Sequence, residues 1–210
     1  LDTQYPDVVR LPGGSIFCKC LVTQFISHLN AIPQRFPEAE GVIIEASGMA
    51  NPKVIESMLE ETGLDKGYSL DGIITVVERR SFTALRHTLP NILAQIDTAD
   101  VIVVNKTDLS TPEQVAVLES ELRALNPRAE IRRAVHGRVD LDLFGHTGRR
   151  GLHGVMDMCR DPHYSSDFIP IPGDADLAEL RAGVLGHANA ILRAKGFLRS
   201  AGKTWYLDYS

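Results

Sequence analysis

The sequence predicts an α/β protein with a doubly wound, mainly parallel sheet, followed by a small C-terminal α+β unit. Short apolar runs rich in β-branched residues predict strands that are buried on both faces, as in parallel sheets, at residues 42–44, 73–77 and 101–104. Stretches with apolar residues at helical spacing separate these runs. Strands that alternate with helices in this manner are typical of doubly wound folds.

Helices are predicted in the intervals between these strands, from apolar spacing and from start and stop signals. They cover residues 21–33, a stretch that begins at Asn51–Pro52, residues 82–96 with an interruption near Pro90, and residues 110–125. The last of these helices begins at Ser110, which is followed by Glu113 three residues on, and it is stopped by Asn126–Pro127. Residues 130–135 are expected to form an outer strand.

The composition changes between residues 137 and 165, where Gly, Arg and His dominate and a linker or long loop is predicted. We therefore divide the chain into a main domain at 1–145, a linker at 146–165 and a small α+β unit at 166–210. The unit is expected to contain a short strand at 168–171, a helix at 174–190, and two strands at 190–197 and 203–209 joined by a turn.

Composition excludes several classes of function. The net charge is −5, from 22 basic and 27 acidic residues, and nothing in it indicates a nucleic-acid surface. No apolar run approaches the length of a membrane span, and no signal peptide opens the chain. The three cysteines indicate reduced thiols and a cytoplasmic setting. Because the chain starts at Leu1 rather than Met, we expect it to be a fragment.

The polar residues that follow the strand at 101–104 are the first candidate binding site. Asn105, Lys106 and Asp108 stand at the carboxyl end of that strand, where ligands bind in open α/β sheets. Asn-Lys-x-Asp resembles the guanine-specificity motif of P-loop GTPases. A carboxylate can accept hydrogen bonds from the ring N–H and the exocyclic amine of guanine, a donor pair that adenine lacks. The alternative is that these residues form only a turn and a helix start.

Glu45 and Gly48 form a second candidate site, at the carboxyl end of the strand predicted at 42–44. P-loop proteins place an acidic residue, followed by Gly three residues later, where Mg²⁺ and the γ-phosphate are sensed. Gly48 is expected to give a flexible turn. The alternative role for Glu45 is a hydrogen bond to a neighbouring loop.

Cys18 and Cys20 are candidate metal ligands because they precede a predicted helix start, where backbone amides and the helix dipole favour thiolates. Tetrahedral zinc needs more ligands than these two. The alternative is that both cysteines pack as small hydrophobic residues.

Several motifs in a fixed order resemble those of the CobW family of metal-trafficking GTPases, which are relatives of UreG and HypB. The family has a metal motif after a Gly-rich turn, a strand-end acid with Gly and Asp-Pro, a Gln and an Ala-Asp before the guanine strand, the guanine motif, an Asn-Pro and a C-terminal signature. Their counterparts here are Gly14–Cys20, Glu45 with Gly48–Pro52, Gln95 with Ala99–Asp100, Asn105–Leu109, Asn126–Pro127 and Leu192–Phe197.

The resemblance implies a GTPase that binds GTP and Mg²⁺, hydrolyses GTP, and transfers zinc or cobalt to a client metalloprotein. By the same resemblance Glu45 would sense Mg²⁺ and the γ-phosphate during catalysis, and Gly48 would lie beside it. Asn105, Lys106 and Asp108 would select guanine, and Cys18 with Cys20 would hold the transported metal. A corrinoid-linked accessory role, related to cobalamin, and assembly as a homo-oligomer are left open.

The chain departs from the family pattern at three places. No Gly-x-x-x-x-Gly-Lys-Ser/Thr occurs in it, so we expect weak or absent GTP binding, no hydrolysis, and an unpaired strand edge beside residues 42–44. Ser15 and Phe17 stand at two cysteine positions of the metal motif, and Ala46 replaces a hydroxyl residue. The alternative function is a non-catalytic module that binds a metal or a partner without turning over nucleotide.

Overall fold

The predicted α/β class is confirmed in the computed structural model. The chain folds into two compact units, Leu1–Pro162 and His163–Ser210. The first unit contains a three-stranded parallel sheet with helices, and the second contains a helix and a two-stranded antiparallel sheet. The domain boundaries given above stay a prediction. The structure describes residues 8–11, 16–17, 21–141, 151–152, 154, 167–171, 173–187, 190–191 and 194–209.

Six helices and five strands are found in the described part of the chain. The helices are α1 (Val22–Arg35), α2 (Ile55–Thr62), α3 (Arg79–Leu85), α4 (Pro90–Thr98), α5 (Pro112–Leu125) and α6 (Leu177–Gly186). The strands are β1 (Ile74–Glu78), β2 (Val101–Asn105), β3 (Glu130–Arg133), β4 (Ala194–Ser200) and β5 (Lys203–Tyr209). Among the described residues, no helix is long and apolar enough to cross a bilayer.

Strand β2 lies at the centre of the parallel sheet, between β1 and β3. Its four apolar residues are at most 3% exposed, so the predicted burial on both faces is confirmed for this strand. On one face Ile102 and Val104 pack with apolar side chains of α3, α4 and α5, namely Phe82, Ile96, Val115, Leu118 and Leu122. This packing holds the carboxyl end of β2 in a fixed place.

Two of the strand predictions for the first unit need correction. Residues 42–44 form no strand, because no described segment lies alongside to bond their backbone; Val42 and Ile44 pack against the cluster of α1 and α2, while Ile43 is 72% exposed. In β1 the prediction of burial on both faces is also wrong, since Val76 is 65% exposed. Because β1 is an end strand of the described sheet, one of its faces is only partly covered.

Helix α1 continues past the proline that was expected to stop it. Pro33 lies inside the last turn of the helix, and it has no N–H to donate to the carbonyl of Leu29, four residues earlier. The hydroxyl of Tyr68 donates to that carbonyl instead, at 2.7 Å. Burial raises the pKa of Tyr68, which favours the protonated hydroxyl that donates this hydrogen bond. The helix therefore tolerates Pro33, because a side chain distant in the sequence replaces the missing hydrogen-bond donor.

The start of α5 differs by one residue from the prediction. Thr111, not Ser110, caps the helix: its side chain accepts a hydrogen bond from the N–H of Gln114, and the Gln114 side chain accepts from the N–H of Thr111. The reciprocal partner is thus Gln114 rather than Glu113. Since the helix has its own cap, Asp108 is not used for that purpose.

Asn126, which follows α5, joins three backbone segments. It is 2% exposed, and its Nδ2 donates to the carbonyls of Ile96, Asp97 and Ala99 at 2.8, 3.2 and 2.8 Å. Its Oδ1 accepts from two N–H groups in the turn before β3, those of Arg128 and Ala129. One side chain therefore connects the end of α4 with the turn that leads into β3.

The second unit contains the predicted helix and hairpin. Asp176 caps α6, and β4 and β5 pair from Ala194 with Tyr209 to Ser200 with Lys203. Ala201 and Gly202 make the turn with positive φ at both positions, as a type I′ hairpin requires. The short strand predicted at 168–171 is wrong. Phe168 and Ile169 are 90% and 79% exposed without strand pairing, because the prolines that interleave this segment cannot donate ladder hydrogen bonds.

Candidate functional site

The carboxyl ends of β1 and β2 lie side by side and carry the first candidate site. Glu78, the last residue of β1, pairs in register with Asn105, the last residue of β2. The chain then turns sharply, because Lys106 adopts the left-handed conformation with φ 57°. A single 3-10 turn, Thr107–Leu109, follows and exposes Asp108. Residues 105–109, which we call the guanine loop after the motif that they resemble, therefore stand at the edge of a parallel sheet where ligands usually bind.

A turn after β3 fixes the side chain of Asn105. Gly137 donates its backbone N–H to Oδ1 of Asn105 at 3.0 Å. Only the amide oxygen can accept from an N–H, so the Nδ2 amine of Asn105 is left as the donor. Thr107 adds two hydrogen bonds, from its backbone N–H and its hydroxyl, to the carbonyl of Ala134 at 3.3 and 3.1 Å. Ala134 and Gly137, which follow β3, therefore hold the guanine loop through hydrogen bonds.

Sequence reasoning missed this turn, although a signal was present. His136 and Gly137 have positive φ of 52° and 71°, and the flanking Val135 and Arg138 form an isolated antiparallel bridge. A pair of left-handed residues in this arrangement is a type I′ turn, for which Asn-Gly is the usual sequence. His-Gly between extended residues is a weaker form of the same pattern.

Glu78 is a second residue that sequence reasoning missed. Its carboxylate caps α3, accepting from the N–H of Arg80 at 2.7 Å, the N–H of Ser81 at 2.9 Å and the hydroxyl of Ser81 at 2.7 Å. Burial acts to raise the pKa of Glu78, but these hydrogen bonds and the nearby charge of Lys106 outweigh it, and the net effect is a lowered pKa. The signal in the sequence was an acid three residues before Ser81 at the start of an apolar helix.

Arg79 ties the start of α3 to the end of the guanine loop. Its Nε donates to the hydroxyl oxygen of Ser110 at 3.0 Å. Since Glu78 caps the same helix, the carboxyl ends of β1 and β2 belong to one hydrogen-bonded region. The loop is therefore braced on two sides, by α3 and by the turn after β3.

The lowered pKa of Glu78 predicts a pH-dependent contribution to stability. A carboxylate with a folded pKa below its unfolded value of about 4.3 stabilises fully above that value, and the effect is lost as the pH falls through the folded pKa. Glu78→Gln should therefore unfold more easily at pH 7 by about 1 kcal/mol, the usual cost of weakening a helix cap. The difference from the parent protein should shrink below about pH 4.

Urea unfolding followed across this pH range measures the effect. Glu38→Gln is the matched control, because Glu38 is exposed, and it should leave stability unchanged at every pH. A Glu78→Gln difference of the same size at pH 7 and at pH 3 would contradict the assignment.

Glu45 and Gly48 lie in the acidic loop, residues 45–50, which leads toward α2. Glu45 is exposed, and Ala46 packs against the apolar cluster of α1 and α2. Gly48 lies in a tight turn closed by a hydrogen bond from the N–H of Ala50 to the carbonyl of Ser47 at 2.9 Å. The acidic loop thus presents an exposed carboxylate beside a tight turn. The guanine loop is a separate segment at the carboxyl end of β2.

Helix α4 holds the acidic loop through two amide side chains. Asn91 Nδ2 donates to the carbonyl of Met49 at 2.8 Å. Gln95 Nε2 donates to the carbonyls of Gly48 and Ala50 at 3.1 and 2.8 Å. Because α4 runs directly into β2, the element that holds the acidic loop also precedes the strand that ends in the guanine loop.

The predicted metal ligands, Cys18 and Cys20, lie outside the described residues, so their role stays a prediction. The neighbouring Phe17 is buried, and its ring meets that of Phe25 edge-on at 6.0 Å. Within the described ranges, no three side chains of His, Cys, Asp or Glu are grouped so that they could hold a metal ion.

The model of the CobW/HypB/UreG nucleotide-binding domain matches residues 1–133, which end with β3. Zinc-regulated GTPase metalloprotein activator 1 of Schizosaccharomyces pombe is 26% identical, over 75% of this chain and 40% of its own length. Zinc chaperone YjiA of Escherichia coli is 27% identical, over 91% of this chain and 65% of its own length. This chain therefore spans less than two thirds of either relative.

A solved structure has the same fold. The crystal structure of Zn(II)-bound YjiA GTPase from E. coli matches with a TM-score of 0.50 at 22% identity, over 90% of this chain and 66% of that one. The match covers more of the chain than the 133 residues of the domain model.

Proposed function

This chain belongs to the CobW/HypB/UreG family, and from that premise we propose that its sheet edge binds a guanine nucleotide in the service of zinc delivery to a client protein. The observation that carries the proposal is the guanine loop, Asn105–Leu109, at the carboxyl end of the central strand. The relatives are named zinc chaperones and a zinc-regulated GTPase metalloprotein activator. Transfer to a client protein is part of this proposal, and the names of the relatives support it.

The donors and acceptors of the guanine loop are complementary to guanine. Asp108 is exposed and offers two acceptor oxygens, which suit the ring N–H and the exocyclic amine of the base. Asn105 has its oxygen engaged by Gly137, and its Nδ2 can donate to an acceptor on the other edge of the purine. The stem of Lys106 is assigned to the face of the base. Adenine lacks the two donors that Asp108 would accept from.

The acidic loop is assigned to Mg²⁺ and to the phosphates. An exposed carboxylate such as Glu45 is the kind of oxygen ligand that Mg²⁺ takes, and the ion would supply positive charge to the phosphates when bound. Gly48, in the same loop, is assigned to binding of the nucleotide. Hydrolysis of GTP is proposed for the whole protein, with Glu45 as the acidic residue of that reaction.

The transported metal is assigned to Cys18 and Cys20, with zinc as the first choice and cobalt as the second. Thiolates suit both ions, and further ligands are needed to complete a tetrahedral set. Because the sequence holds only three cysteines and no disulfide pattern, we place this activity in the cytoplasm.

Titration with two nucleotides, followed by ¹H–¹⁵N NMR, tests the guanine assignment even when binding is weak. GDP with Mg²⁺ should shift the backbone amide signals of residues 105–109 and of Gly137. ADP should bind about 100-fold more weakly, because it leaves the Asp108 acceptors unpaired. Equal affinity for GDP and ADP would contradict the guanine site.

A second candidate, a module that binds metal or a partner without nucleotide, is favoured by one observation. None of the 210 residues forms the Gly-x-x-x-x-Gly-Lys-Ser/Thr pattern that cradles phosphates. This candidate predicts that neither GDP nor ADP shifts the signals of the guanine loop, so the same titration separates the two functions.

A further inference from the structure

Two amide side chains on α4, Asn91 and Gln95, grip the backbone of the acidic loop. They stand one helical turn apart, so they project from the same face of the helix. Together they donate to three consecutive carbonyls, those of residues 48–50, at distances from 2.8 to 3.1 Å. We refer to this pair as the amide clamp. Nearby, Lys53 Nζ lies 2.7 Å from Asp97 Oδ2 and adds an ion pair between α4 and the turn that follows the acidic loop.

The amide clamp sets the direction of backbone donors in the acidic loop. A trans peptide is planar, with its C=O and N–H on opposite sides, so a carbonyl that points at α4 turns the next N–H away from α4. This applies to the N–H of Met49, which follows the Gly48 carbonyl held by Gln95. The N–H of Ala50 is turned inside the loop, to Ser47. The clamp therefore turns the N–H of Met49 away from α4, within the loop that carries Glu45.

Helix α4 is itself fixed on the sheet that carries the guanine loop. The hydroxyl of Thr75 in β1 donates to the carbonyl of Gln95 at 2.9 Å. At the same carboxyl-terminal end of the helix, Asn126 donates to the carbonyls of Ile96 and Ala99 at 2.8 Å each. Two residues then lead from α4 into β2. The amide clamp and the guanine loop consequently share one rigid support.

We propose that Asn91 and Gln95 are positioning residues for the nucleotide site: they hold the acidic loop so that it responds to a nucleotide seated on the guanine loop. This inference rests on the proposed function. A neutral amide suits the role, because it orients carbonyls without adding a charge that would compete for phosphate or Mg²⁺. Each neutral hydrogen bond is modest in net strength, so the acidic loop can still be released from α4.

The test compares the full chain with two variants of the clamp and one control. Gln95→Glu keeps the shape of the side chain but removes both donors, and Gln95→Met removes them without adding charge. Gln24→Glu makes the same chemical change at an exposed position of α1. The ligand is Mg²⁺ with a non-hydrolysable GTP analogue. NMR reports signals of the guanine loop and the acidic loop separately, and hydrogen exchange at the N–H of Ala50 reports opening of the loop.

In the parent chain and in Gln24→Glu, the ligand should shift signals of both loops. In Gln95→Glu and Gln95→Met, the guanine loop should still respond with an affinity within about twofold, whereas the ligand-induced shifts at residues 48–50 should be lost. Exchange at Ala50 should be faster by about fivefold to thirtyfold, which corresponds to one or two lost hydrogen bonds. Thermal unfolding of the variants should occur about 2 to 8 °C below that of Gln24→Glu, as expected for one or two lost hydrogen bonds.

Two outcomes would overturn the inference while the proposed function stands. One is an acidic loop that stays silent in the parent chain although the guanine loop responds. The other is a pair of Gln95 variants whose acidic loop responds as the parent does. A guanine loop that is silent in the parent chain would reject the proposed function, and this inference with it.

Discussion

Asn126→Ala is expected to lower the free energy of unfolding by about 3 to 5 kcal/mol, the range for breaking a buried hydrogen-bond network. The side chain is 2% exposed and satisfies five backbone groups, with three donated and two accepted hydrogen bonds. Alanine would leave several of these groups buried without partners. Because the groups belong to the end of α4 and to the turn before β3, the loss should loosen both sides of β2.

Urea unfolding at pH 7 measures this effect, and Asn30→Ala is the matched control. Asn30 is an exposed asparagine on α1, so its removal should change stability by less than about 0.5 kcal/mol. A loss below about 1 kcal/mol for Asn126→Ala would show that water or local rearrangement replaces the network.

Asp108→Asn is expected to exchange the base preference of the proposed site from guanine to xanthine. The carboxylate offers only acceptors, which suit the donors of guanine, whereas an amide offers one acceptor and one donor. Xanthine carries a carbonyl where guanine carries its exocyclic amine, so it needs that donor. GDP affinity should fall by about 100-fold, as when a designed hydrogen bond is replaced by a mismatch, and XDP affinity should rise above it.

Parallel NMR titrations with GDP and XDP check this exchange, and Asp140→Asn is the control. Asp140 is exposed and lies outside the guanine loop, so its variant should bind GDP as the parent does. Unchanged GDP affinity in Asp108→Asn would remove Asp108 from the site.

The elements that the sequence predicted best are those decided by short-range chemistry. Val101–Val104 is apolar at every position, and a strand at the centre of a sheet is the structure that buries both of its faces. The turn at Ala201–Gly202 was likewise visible, because Gly accepts the positive φ that the hairpin demands.

The features that sequence reasoning missed depend on partners far along the chain. Ile43 reads as a core residue, yet its burial depends on a neighbouring strand, and the described structure places none beside it. Gln95 was noticed only as part of a motif, because the carbonyls that it binds lie 45 and 47 residues earlier. The role of Glu78 follows from its position next to Asn105, and that position is known only once the register of β1 and β2 is known.

The hydrogen bond from Tyr68 to Leu29 spans 39 residues, and it makes the end of α1 dependent on the segment after α2. If either segment frays, the last turn of the helix loses the hydroxyl that replaces the missing proline N–H. We therefore expect residues 29–35 and the chain around Tyr68 to open and close together as one cooperative unit. Proteases should then cleave the two segments at similar rates.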